Sequence, residues 1–377
     1  MKISSIRYHL KNGTFLKAVQ GKLAGQFGSV KSPPVARWNI QSEETAIDFL
    51  VSRAAKIASK EPGKKIALIA AEGNTLQNFI AKFSAQNITP EIFLINNLAL
   101  ITSQHSNDIS CIVSAFFDAA NTMKIGKMLV ADQRISEIPF EFILIPQNEF
   151  APVEKLDRYK GNSFTSPLFA GNADFLSIYE ESLTRFQQKC DIRDYMDMYQ
   201  TLGHISKNKI PGDVAEFGSY RGHSGYLIAQ TLKKFQVEKK ILLFDMFEEF
   251  PAEQLGIDYF WEEHVVNYAE VKKKFESFSN VQLVKGDFTQ TILNYPDIRL
   301  SYIYMDCDSY RATKFLIQHL FEKHLSTGGL MVFEDYGHPA LLGNRLAVHE
   351  CFDNRTDCFK FYSQYSGFYI VLKTSQN

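Results

Sequence analysis

Val214-Ala-Glu-Phe-Gly-Ser-Tyr-Arg-Gly-His-Ser-Gly225 is the stretch from which the fold is read. Its apolar start reads as the end of a buried strand, with Glu216 near its tip. Gly218 and Gly222 let the backbone turn and approach a ligand, and Ser224 is placed to cap the helix that follows. A strand, a glycine turn and a helix form the place where nucleotide-like cofactors bind in an α/β sheet. One such turn is equally compatible with a tight loop and nothing more, so the weight falls on the motifs after it.

Toward the C-terminus, Lys240-Ile-Leu-Leu-Phe-Asp245 is an apolar strand ending in a carboxylate. At that distance from the turn, an acid can hydrogen-bond a ribose diol, or it is simply a solvated strand end. Met246 to Asn267 is long for a connector and rich in aromatics and acids. It suits a lid over the site, within which His264 could contact a substrate. A helix over Tyr268 to Phe278 and a strand over Val281 to Val284 lead to Gly286-Asp287-Phe288. There Asp287 suits an exocyclic amine and Phe288 the face of a purine ring, the alternative being a plain Gly-Asp turn.

Two further strands end in acids: Leu300-Ser-Tyr-Ile-Tyr-Met-Asp306 and Leu330-Met-Val-Phe-Glu334-Asp335, the second entered by a turn at Ser326 to Gly329. If they are neighbours, their ends lie about 4.8 Å apart. Asp306, Glu334 and Asp335 then converge, and clustered carboxylates repel unless a cation joins them. An all-oxygen set suits Mg²⁺ or Ca²⁺. The competing reading pairs these acids with helix ends, with Arg311 or Arg345, or with a lysine. Phe359 to Tyr362 and Gly367 to Lys373 close the chain as a hairpin.

Toward the N-terminus, Asp174 to His204 carries apolar residues at helical spacing. Before it, strands at Lys65 to Ala71, Pro90 to Asn96, Ile112 to Phe117 and Phe140 to Pro146 alternate with helices, the pattern of a small parallel domain. Gly73 alone does not make a dinucleotide site. A substrate-recognition or dimerisation role is open to this part. The expected division is an arm and helix (1–60), a smaller Rossmann-like α/β domain (61–150), a linker (151–170) and the main domain (171–377).

The 377 residues are 45% hydrophobic with a formal net charge of −1, enough for large cores and no general attraction to nucleic acid or an anionic membrane. Five dispersed cysteines fit a reducing, cytoplasmic setting better than a disulfide framework. No apolar run is long enough to span a bilayer.

Residues 170 to 372 resemble the macrocin O-methyltransferases, metal-dependent class I enzymes that move a methyl group from S-adenosylmethionine to sugar hydroxyls. The resemblance rests on Ile210 to Ser224, Phe244-Asp-Met-Phe-Glu-Glu-Phe-Pro251, Gly286-Asp-Phe-Thr-Gln-Thr291, Asp306-x-Asp308-x-Tyr310-x-x-Thr313 and Glu334-Asp-Tyr-Gly337, in that order. His223 and Glu249 stand where the family often has glycine, and Glu334 stands for an aspartate. The resemblance implies a Rossmann-like class I methyltransferase sheet with a C-terminal β-hairpin. It implies that Glu216, Gly218, Tyr220, Arg221, Gly222 and Ser224 line the methionine side of the cofactor. Asp245 would hold the ribose, and Gly286, Asp287 and Phe288 the adenine. Asp306, Glu334 and Asp335 would hold Mg²⁺ or a similar cation, which makes a hydroxyl more acidic and places it near the methyl group. Asp308 and His338 are the candidates for the base beside Asp306. The expected substrate is a sugar-containing small molecule or glycan precursor, with a homo-oligomer left open. A nicotinamide-dependent oxidoreductase and a non-catalytic binding protein are the competing readings.

Overall fold

Apolar runs without alternation belong in parallel sheets covered on both faces. Two such sheets form in the computed structural model, which describes residue 40 and residues 42–95, 106–145, 173–186, 191–247, 255–258, 266–338, 341–364 and 366–375. The N-terminal arm, the linker at 151–170 and most of the expected lid, His264 included, lie outside the described residues. Residues 41–377 make up one compact unit.

The first sheet has four parallel strands in the order β2-β1-β3-β4: β1 (Lys65–Ala70), β2 (Glu91–Leu94), β3 (Ile109–Ser114) and β4 (Phe140–Glu141). β3 is buried along its whole length and starts three residues before the expected position, because Ser110 hides its hydroxyl on the Lys65 carbonyl at 3.1 Å. β4 is shorter than expected. Phe142 and Ile143 stay buried, but the ladder to β3 stops at Glu141. Glu141 is fully buried and held at 2.9 Å by Arg53 of the helix Glu43–Ala58.

The second sheet has seven strands in the order β10-β11-β9-β8-β5-β6-β7. These are β5 (Asp213–Phe217), β6 (Ile241–Asp245), β7 (Val281–Lys285), β8 (Leu300–Met305), β9 (Leu325–Phe333), β10 (Cys358–Tyr362) and β11 (Tyr369–Lys373). β11 runs antiparallel to β9 and β10, and all other pairs are parallel. This is the expected doubly wound sheet with its terminal hairpin. From β5 the chain first winds out through β6 and β7, then returns to β8 and β9 on the other side. The crevice at such a reversal, at the C-terminal strand ends, is where ligands bind in open α/β sheets. Ser326 to Gly329, expected as a turn, belongs to β9, and a register shift between Leu300 and Tyr302 absorbs the extra length.

The two sheets share a core. Ile69, Ile112, Phe140 and Phe142 of the first pack in one cluster with Leu255, Ile257, Leu342 and Leu346 of the second part. Gly126 lets the helix Ala119–Ala131 lie against the helix Leu342–Phe352, since a Cβ there would stand 2.7 Å from Leu342.

Candidate active site at the strand ends

β5, β6 and β8 end in register, with Phe217 opposite both Phe244 and Met305. The next residue on each strand is Gly218, Asp245 and Asp306. Gly218 donates its N–H to the Phe244 carbonyl and Asp306 donates to the Phe217 carbonyl, both at 2.9 Å. Gly218 has φ +93°, and a Cβ there would lie 1.6 Å from the Asp306 carbonyl oxygen. Only glycine fits. Gly222, at φ +84°, occupies the cap position of the helix His223–Lys234, so Ser224 does not cap it. Ser224 is the second residue of the helix, where its hydroxyl acts on Glu216 instead.

Glu216 is fully buried, and neither carboxylate oxygen has a hydrogen-bond partner of good geometry; the Ser219 hydroxyl is likewise unsatisfied. Burial pushes Glu216 up to about 7 and the nearby charge of Asp245 adds to this, while the hydroxyls of Ser224 and Ser219 pull the other way. A buried acid left without donors costs free energy unless a ligand supplies them. Asp245 is tied to the turn: its Oδ2 accepts from the Tyr220 N–H at 2.7 Å and its Oδ1 from the Phe247 N–H at 2.5 Å. Tyr220 and Phe247 both take positive φ, +45° and +51°. Arg221 lies over the Tyr220 ring at 4.9 Å. Gly286 donates to the Asp245 carbonyl at 3.0 Å, which brings the third motif to the same edge. Asp287 caps the short helix Phe288–Thr291 through Thr289, at 2.8 Å, and Phe288 packs edge-on against Phe217.

The acids converge as adjacency of β8 and β9 requires. Oxygens of Asp306, Glu334 and Asp335 lie within 4.8 Å of one another. Asp335 is buried; its Oδ2 accepts from the Asp308 N–H at 2.9 Å and from Asn344 Nδ2 at 3.4 Å, while Oδ1 has no partner. Burial, then mutual repulsion, pushes Asp306 and Glu334 well above the usual carboxylate range. An all-oxygen donor set with an unsatisfied buried oxygen fits a hard divalent cation. Arg345 donates to the Tyr336 carbonyl, and Arg311 stands 3.8 Å from Glu137, so neither neutralises the cluster.

Asp308 belongs to this group: it takes φ +53° and its charge raises both Asp306 and Glu334. His338 follows on the same turn, its N–H on the Asp335 carbonyl at 3.0 Å. His349 is bonded between Tyr336 (2.8 Å) and Asp353 (2.8 Å). Two acids escaped the sequence reading. Asp258 is buried, pushed up to about 7 by burial, and accepts from the Tyr310 N–H at 2.9 Å at the start of the helix Tyr310–Leu320. Asp194, in the first turn of the helix Ile192–Lys207, is also pushed up to about 7 by burial, and its charge reaches Glu334.

Residues 193–356 match the family described as Macrocin-O-methyltransferase (TylF). Mycinamicin III 3''-O-methyltransferase of Micromonospora griseorubida is 31% identical over 160 residues, covering 38% of this chain and 61% of that one. An 8-demethyl-8-(2,3-dimethoxy-alpha-L-rhamnosyl)-tetracenomycin-C 4'-O-methyltransferase of Streptomyces olivaceus is 28% identical over 155 residues, 37% of this chain and 58% of that one. The matched segment thus spans about three-fifths of these relatives. Among solved structures, the calicheamicin methyltransferase CalS11 aligns at TM-score 0.44 and 18% identity, over 62% of this chain and 95% of that one. Among the described residues no helix is long and apolar enough to cross a membrane.

Proposed function

We propose that this chain, which over residues 193–356 is a member of the macrocin-O-methyltransferase family, transfers a methyl group from S-adenosylmethionine to a hydroxyl of a sugar-containing acceptor. The observation that carries the reading is the trio of carboxylates at the ends of β8 and β9, within 4.8 Å of one another and next to the glycine turn. Relatives named as methyltransferases of glycosylated compounds support the acceptor class.

Glu216, with its unsatisfied oxygens, and the turn from Gly218 to Ser224 hold the methionine end of the donor, with Arg221 at the rim. Asp245 faces the ribose from a fixed orientation, since both its oxygens are already anchored to backbone N–H groups. Gly286, Asp287 and Phe288 border the adenine. Asp306, Glu334 and Asp335 hold a divalent cation such as Mg²⁺. When bound, that cation supplies Lewis acidity to a hydroxyl oxygen. The chain's own part is alignment, with reacting atoms about 3–3.5 Å apart. Asp308 takes the hydroxyl proton. Its backbone is fixed by Asp335 and its charge bears on both Asp306 and Glu334, whereas His338 sits one step further along the turn.

The test uses Asp306→Ala. S-adenosylhomocysteine binding by calorimetry should stay within a few-fold of wild type, while methyl transfer to glycosylated acceptors falls at least about a hundredfold. Wild-type turnover that survives EDTA would sink the metal role. Binding of NAD⁺ in place of S-adenosylhomocysteine would move the reading to an oxidoreductase.

A further inference from the structure

Arg345 lies in the first turn of the helix Leu342–Phe352 and is half-buried. Its Nε donates to the Tyr336 carbonyl at 2.9 Å, and its guanidinium carbon stacks 5.3 Å from the centre of the Tyr336 ring. That fixes the side chain but uses one of its donors. Among the described residues, Nη1 and Nη2 have no acceptor and no carboxylate pairs with the group; the neighbours that bear on its charge are the phenols of Tyr336 and Tyr362. Two other arginines are paired with acids. Arg53 holds Glu141 at 2.9 Å, and Arg355 holds Asp357 at 2.7 Å and Glu322 at 2.9 Å. Partial burial holds the pKa of the group down, so an anion brought to its open edge would be favoured.

The place matters as much as the charge. Tyr336 directly follows Asp335, and Asn344, directly before Arg345, reaches Asp335 itself at 3.4 Å. Both points of attachment are thus one residue from the acid cluster, and β9, which leads into the turn of Tyr336, lies across β8 from β5 and the glycine turn. A planar fork held rigid at one edge is pre-organised for two oxygens of a carboxylate or phosphate.

The geometry points to Arg345 as an anion-binding residue of the acceptor site: its free Nη1 and Nη2 take a pair of phosphate or carboxylate oxygens carried by the substrate, while the substrate's sugar hydroxyl lies at Asp306, Glu334 and Asp335. The acceptor is therefore an acidic sugar compound, either phosphate-linked or bearing a carboxylate. The placement of the hydroxyl rests on the methyltransferase reading, whereas the anion site does not.

Calorimetry on the full chain with pyrophosphate and with glucuronate tests it, in wild type, Arg345→Gln and Arg345→Lys, with S-adenosylhomocysteine titrated into each. At least one anion should bind wild type. Its affinity should drop tenfold or more in Arg345→Gln and by an intermediate factor in Arg345→Lys, where a point charge replaces the fork. S-adenosylhomocysteine should bind all three alike. Tighter pyrophosphate indicates a phosphate-linked acceptor, and tighter glucuronate a carboxylate. The proposal is overturned if neither anion binds wild type, if Arg345→Gln binds as well as wild type, or if the loss falls on S-adenosylhomocysteine instead. Absence of S-adenosylhomocysteine binding in wild type would overturn only the methyltransferase reading. If Arg345→Gln does not fold, phenylglyoxal modification of the wild-type protein replaces it. Protection of Arg345 by either anion, read by peptide mass mapping, is expected; equal labelling with and without anion overturns the proposal.

Discussion

The two sides of the sheet edge are positioned by different means. Between β5 and β6, geometry comes from backbone: Gly218 at φ +93°, Tyr220 at +45°, Gly222 at +84°, and an aspartate clamped by two N–H groups. Between β8 and β9, it comes from charge, with three acids inside 4.8 Å and Asp308 beside them. The first side tolerates almost no change of shape. The second depends on the balance of charge among its acids.

The strongest way to break this contrast is Gly218→Ala. The new methyl group would lie 1.6 Å from the Asp306 carbonyl, on a backbone that cannot yield without moving β8. Strain plus overpacking should cost about 3–5 kcal/mol. The same change on the turn should therefore also disturb the acids, lowering both S-adenosylhomocysteine affinity and metal affinity. Gly222→Ala meets side chains rather than backbone, the Phe275 ring at 2.5 Å and Val271 at 3.3 Å, and should be milder on both counts. If Gly218→Ala weakened cofactor binding and left metal binding untouched, the two sides would be independent after all.

Glu216→Gln sharpens the comparison, because Glu216 is a buried charge without partners of good geometry on the backbone-built side. Its folded pKa of about 7 lies above the ordinary 4.5, so folding favours the protonated acid. The resulting stability is fully present below pH 4.5, declines as pH rises from there, and is lost above about 7. At pH 8 the ionised, partnerless carboxylate costs up to about 3 kcal/mol. Glu216→Gln should therefore stabilise the ligand-free protein at pH 8 and change it little at pH 4, by denaturant melts. It should also weaken S-adenosylhomocysteine binding by about tenfold, roughly the worth of one charge-assisted contact. Equal stability at both pH values would show that Glu216 is satisfied without a ligand.

What was legible in the sequence follows the same divide. The glycine turn could be read because its constraints are local: Gly218 and Gly222 are required by the turn itself. The strand-end acids could be read because each ends its own apolar run, and strand order supplies the rest. Asp258 could not. Its partner is the Tyr310 N–H, 52 residues on, and its own segment reads as part of a lid. Asp194 looks like an ordinary acid in a helix's first turn, and only packing brings it toward Glu334. Ser224 was read as a cap because a hydroxyl suits that role, but the helix starts at His223 and glycine takes the cap. The truncation of β4 is of the same kind, since Phe142 stays apolar and buried while the ladder it would extend has ended.

The smallest effect is expected at Asp287, where capping and ligand contact compete for one side chain. Its Oδ1 already accepts from the Thr289 N–H at 2.8 Å and from the Thr289 hydroxyl at 2.7 Å. Asparagine is as good a cap as aspartate, so Asp287→Asn should leave stability within about 0.5 kcal/mol, whereas Asp287→Ala should cost about 1 kcal/mol. An adenine amine needs only an acceptor, which the amide oxygen still offers, yet that oxygen is the one engaged by Thr289. If Asp287 serves adenine through its other oxygen, Asp287→Asn places an amide nitrogen there, and S-adenosylhomocysteine affinity should fall a few-fold with the melting temperature unchanged. Unchanged affinity would reduce Asp287 to a helix cap, leaving the adenine to Phe288 and making the donor side of the edge a matter of backbone shape almost throughout.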